Sequence, residues 1–107
     1  MRRRIFISGA VSSDPNHRMK FIVARAMADL EHPDCNIYTP TEIIDAHLEA
    51  GRTFRGEADY LLACLMMLRE CDDFLRIKED IPSAGADIEE AFAKYAGKNI
   101  LPRLELI

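Results

Sequence analysis

Four short runs of strand-forming residues recur along the chain, separated by stretches with helical spacing. That alternation restricts the fold more than any other feature. The runs are Arg4–Gly9, Cys35–Tyr38, Asp73–Ile77 and Asn99–Leu101. Each is short and leads into a turn-forming or polar segment, as buried strands do. Helical spacing covers about 17–31, about 54–70 and 86–96, the last stopped by Gly97. Strand, helix and strand in that order make right-handed βαβ units and therefore a parallel sheet.

The expected architecture is a single α/β domain in three layers. Four or five parallel strands are flanked by helices in a flavodoxin-like or Rossmann-like arrangement. In the first helix, Met19, Ile22, Val23, Ala26 and Leu30 fall on one stripe, read as its core face. The helix at 54–70 carries two apolar stripes. One is Ala58, Leu61, Leu62, Leu65 and Leu68; the other is Tyr60, Cys64, Met67 and Cys71. A helix apolar on two sides is buried on two sides, so one side is assigned to the sheet and the other to a pocket or a second copy. An isologous homodimer, or a larger assembly, is expected on that ground. The segment 41–55 is the least regular, with a helical turn expected around Glu42–Leu48 and a break at Gly51.

Composition narrows the partners. The net charge is −4, and apart from Arg2–Arg4 the basic residues are scattered, which argues against a nucleic-acid polymer. No apolar stretch approaches the roughly 18 residues of a membrane span. The run after Arg2–Arg4 is too short for a signal-peptide core. Three cysteines, Cys35, Cys64 and Cys71, lack metal-type spacing. They read as reduced thiols of a cytoplasmic protein with neither metal nor cofactor.

Ligands of open α/β sheets bind outside the carboxyl ends of the strands. Two segments fall there. Ser8-Gly9-Ala10-Val11-Ser12-Ser13 follows the first strand, and its small residues let backbone N–H groups approach an anion. An ordinary strand-to-helix turn would look the same. Ser83-Ala84-Gly85-Ala86-Asp87-Ile88-Glu89-Glu90 enters the last helix. Asp87, Glu90, Lys94 and Lys98 share its polar face, whereas Glu89 shares a stripe with Gly85, Phe92, Ala93 and Ala96. A carboxylate on such a stripe is desolvated at a cost to stability. Glu89 is therefore the acid expected to work.

In order and spacing these segments resemble the nucleoside 2-deoxyribosyltransferases and the related nucleoside-monophosphate N-glycosidases. The resemblance runs over about residues 4–101. It is carried by Ile5-Phe6-Ile7-Ser8-Gly9, Asp14-Pro15-Asn16, Thr39-Pro40-Thr41-Glu42, Asp59-Tyr60, Glu70-Cys71-Asp72-Asp73 and Ser83-Ala84-Gly85-Ala86-Asp87-Ile88-Glu89. It implies cleavage or transfer at the N-glycosidic bond of a nucleoside or nucleoside 5′-monophosphate, with Glu89 as nucleophile. It further implies a substrate pocket of Phe6, Ser8, Gly9, Ser12, Ser13, Cys64, Ser83 and Gly85. Ser8, Gly9, Ser12, Ser13 and Ser83 would cradle a 5′-phosphate, and the nearby N-terminus of the last helix would help to keep Glu89 ionised. Phe6 stands where the family has a tyrosine, and Cys64 where it has an acid. The rival reading is a nucleotide-binding accessory protein that uses the same pocket without turnover.

Overall fold

A computed structural model describes residues 2–107. The elements are β1 (Arg3–Ser8), α1 (His17–Glu31), β2 (Cys35–Tyr38), α2 (Pro40–Glu49), α3 (Glu57–Arg69), β3 (Asp73–Arg76), α4 (Ala84–Tyr95) and β4 (Asn99–Ile100). The strands form one parallel sheet in the order β2-β1-β3-β4. This is the expected flavodoxin-like α/β fold.

Alternation along β1 divides the interior. Ile5 and Ile7 point to one face, where Phe21, Ala24 and Ala28 of α1 join Ile37, Leu75, Ile77 and Leu104. Phe6 points to the other, with Ile43 of α2, Ala63, Cys64 and Leu68 of α3, Phe74 and Ala93 of α4. Acids at the start of β3 stitch the end of the sheet remote from the ligand edge. The Arg3 guanidinium donates to Asp73 Oδ1 at 2.7 Å, and Asn99 Nδ2 donates to the same oxygen at 3.0 Å.

Three expectations need correction. The core stripe of α1 is Phe21, Ala24 and Ala28; Met19, Ile22 and Leu30 are each more than 60% exposed. Alanines let the helix axis approach the sheet closely, and both stripes are apolar at helical spacing. The segment after β2 is a full ten-residue helix rather than a single turn. Thr39 caps it by accepting from the Glu42 N–H at 3.4 Å, and Pro40 sits in the first turn, where its missing N–H costs nothing. Helix α3 begins at Glu57, three residues later than its apolar pattern suggested, after Gly56 at φ +158°. Its inner side buries Ala63, Cys64 and Leu68, while Leu62 and Met66 point outward and are more than half exposed.

No helix among the described residues is long and apolar enough to cross a membrane.

Candidate functional site

The β1–α1 connection leaves the sheet at its carboxyl edge, and buried charges fix its path. Lys20 on α1 reaches back to donate to the Ala10 carbonyl at 2.6 Å. It also pairs with Glu79 Oε1 at 2.9 Å and Asp14 Oδ2 at 3.0 Å. The second oxygen of Glu79 accepts the Ala10 N–H at 2.8 Å. All three side chains are largely buried, so each charge needs its partners. The Lys20 ammonium and the Asn16 N–H hold the Asp14 carboxyl below the usual carboxylate range. Gly9 lies against this cluster. A Cβ there would sit 3.1 Å from Glu79 Oε2 and 3.2 Å from Ile77 Cδ1. Ser13 ties the connection to the next loop by donating to the Pro82 carbonyl at 2.7 Å.

The β3–α4 loop ends at Ser83, the N-cap of α4, whose hydroxyl oxygen accepts the Ala86 N–H at 3.1 Å. Two turns into the helix, neighbouring acids part company. Glu90 faces outward and pairs with Arg76 at 2.8 Å and Lys94 at 3.1 Å, which keeps its carboxyl below the usual range. Glu89 faces inward and is buried. Its Oε1 accepts the Ser8 hydroxyl from the end of β1 at 2.6 Å.

Burial pushes the Glu89 carboxyl up to about 7, against the opposing pull of the Ser8 hydrogen bond and the Arg76 charge. The expectation that the helix N-terminus would keep it ionised is thereby corrected. Glu89 lies in the second turn, beyond the reach of the terminal dipole, and desolvation dominates. Burial and the nearby Glu89 charge also drive the Cys64 thiol far up, so Cys64 stays neutral.

A cleft of about 490 Å³ opens over this carboxylate. Gly9, Ser12 and Ser13 form one wall, Ser83, Gly85 and Glu89 another, and Cys64 lies with Leu61 and Tyr60 on α3. The structure thus brings together seven of the nine residues singled out from sequence, and Ser8 lies directly beneath. Two assignments change. Phe6 does not reach the cleft; it is fully buried and stacked on Phe74 with ring centroids 6.3 Å apart. Ser8 has no exposed surface and its hydroxyl is spent on Glu89, so it cannot cradle a phosphate. The sequence reading missed Pro40 and Ile44 of α2 and Glu57 of α3, which complete the rim. The signal of Pro40 and Ile44 was weak because only a helical turn around Glu42–Leu48 was expected where α2 forms. Arg18, at the start of α1, is a surface residue paired with Asp45 at 3.0 Å.

Residues 3–102 match the model of a domain of unknown function, DUF4406. The chain belongs to the DUF4406 family. No curated protein matches this DUF4406 chain. Among solved structures it is similar to a 2-desoxiribosyltransferase from Leishmania mexicana, with a TM-score of 0.66 and 21% identity over 96% of this chain. It is also similar to a conserved protein from Enterococcus faecalis V583, with a TM-score of 0.68 and 17% identity over 94% of this chain. The DUF4406 chain spans 64% and 62% of those two chains respectively. At these identities the likeness establishes a shared fold, the deoxyribosyltransferase-like α/β fold.

Proposed function

We propose that this DUF4406 protein cleaves or transfers at the N-glycosidic bond of a deoxynucleoside or its 5′-monophosphate, with Glu89 as nucleophile. The observation that carries this reading is a desolvated carboxylate beneath a nucleoside-sized cleft, held by a hydroxyl through one oxygen. The likeness to a 2-desoxiribosyltransferase supports it at the level of fold.

The chemistry runs in two steps. A Glu89 oxygen bonds to C1′ as the C1′–N bond breaks, and the base departs with that electron pair and takes up a proton. Water or the N–H of a second base then bonds to C1′ as the bond from C1′ to Glu89 breaks. Its proton passes to solvent in return for the one the first base took up, and the free sugar or a new nucleoside leaves with the carboxylate restored. Holding the oxygen near C1′ beforehand can remove several kcal/mol of the barrier. A 5′-phosphate would meet Ser12, the Ser83 hydroxyl proton left free by the cap, and the unpaired N–H groups that begin α4. Cys64 offers only a weak thiol donor, so slow turnover is expected.

Incubation with deoxynucleosides and their monophosphates, followed by chromatography for free base, tests the reading. Base release lost in Glu89→Gln but kept in Glu90→Gln supports it. Ligand-induced thermal stabilisation without base release would favour the accessory binder. The outward stripe of α3 with Leu62 and Met66 is assigned to pairing of two copies, and light scattering showing a monomer at high concentration would remove that assignment.

A further inference from the structure

The two oxygens of Glu89 have unlike surroundings. Oε1 accepts the Ser8 hydroxyl at 2.6 Å. Oε2 has no hydrogen-bond partner among the described residues, and no side-chain oxygen there is both fully buried and unpaired. Oε2 therefore meets the cleft that Glu89 lines.

Ser8 is well placed to impose this difference. It is the last residue of the central strand and is fully buried. Its carbonyl accepts the Ile77 N–H at 2.9 Å, and its Cα is in register with Arg76 on β3. The hydroxyl thus springs from backbone that pairing with β3 fixes. Nothing nearby duplicates it. Phe6, two residues back on the same face of β1, has no polar side-chain atom. Cys64 is a neutral thiol. The Arg76 guanidinium is committed to Asp87 and Glu90 at 2.8 Å each.

We infer that Ser8 is the positioning residue of this site: its hydroxyl clamps one oxygen of Glu89 and aims the other into the cleft. For turnover, the inference rests on Glu89 being the working carboxylate. The clamp itself is independent of turnover. Donation to the carboxylate favours the ionised form and opposes the effect of burial.

The test uses the full chain with glutamate carboxyls labelled with carbon-13, as wild type, Ser8→Ala and Ser8→Thr. The Glu89 resonance is assigned by its loss in Glu89→Gln and followed through a pH titration. Ser8→Ala removes a single oxygen, so folding is retained, which circular dichroism checks. Its Glu89 midpoint should rise by about one pH unit, the size expected when a carboxylate loses a good hydroxyl donor. Ser8→Thr, which keeps the hydroxyl, should stay near wild type. With a deoxynucleoside 5′-monophosphate, Ser8→Ala should lower kcat by about tenfold or more with little change in KM. An unchanged Glu89 midpoint in Ser8→Ala would overturn the clamp. If the midpoint moves while wild type releases no base at any pH, the clamp stands and the glycosidic reading falls.

Discussion

Replacing Glu89 with glutamine should stabilise the protein increasingly as pH rises from about 5 to about 7, and do little below that range. A carboxyl raised from 4.5 to about 7 on folding is neutral in both states at low pH. As pH rises past 4.5, the unfolded chain ionises freely while the folded chain resists. Stability is therefore lost from about pH 5 upward and the loss is complete above about pH 7. At 1.36 kcal/mol per unit, the full penalty is about 3 kcal/mol. Glutamine fills the same space, can hydrogen-bond with Ser8 and never ionises. Urea unfolding of both proteins at about pH 5 and about pH 8 isolates the effect, because every other titrating group cancels between them. The difference in stability should be within about 1 kcal/mol at the lower pH and favour Glu89→Gln by about 2–3 kcal/mol at the higher one. For a domain of this size that corresponds to a rise in Tm on the order of 10 °C. Equal differences at the two pH values would refute the claim that Glu89 is desolvated in the folded state.

Base release should show an acid limb, rising as pH passes through about 7 when Glu89 ionises; a rate already flat from about pH 5 would exclude Glu89 as the group that must lose its proton. Gly9→Ala should cost about 1–3 kcal/mol in urea unfolding, because the added Cβ meets Glu79 and Ile77 at 3.1 and 3.2 Å. Ser83→Ala should cost about 1 kcal/mol through loss of the α4 cap. It should also weaken calorimetric binding of a deoxynucleoside monophosphate more than that of the free nucleoside; equal weakening would mean that Ser83 acts through the cap alone.

The parallel α/β class was legible because strand and helix periods alternate along most of the chain. Glu89 was legible because helical geometry alone separates it from Asp87 and Glu90. What failed depended on tertiary choice. Two apolar stripes run along α1, and nothing local says that the one with small residues, Ala24 and Ala28, packs on the sheet. The helix at Pro40–Glu49 was hidden because Thr39-Pro40 ends a strand and starts a helix with the same two residues. Ser8 was recognised as a site residue but given the wrong partner. Its hydroxyl meets Glu89 across 81 positions of sequence, a contact that only the packing of α4 on β1 creates. The Lys20, Asp14 and Glu79 cluster escaped notice for the same reason, being assembled from α1 and two loops.

The place of β1 between β2 and β3 also has a consequence for synthesis. At about 5–20 residues per second, β1 is made roughly 4–16 s before Glu89 emerges to meet it. Until β3 arrives, one edge of the strand stays open, Phe6 lacks the cover that α3 and α4 later give it, and Ile5 and Ile7 lack Leu75, Ile77 and Leu104. Such a segment invites pairing with other nascent chains. The Arg2–Arg4 triplet, which looked like a stray basic patch, sits directly beside it. Like charges at that position repel a second copy of the same strand, which disfavours such pairing in the interval before its neighbours exist.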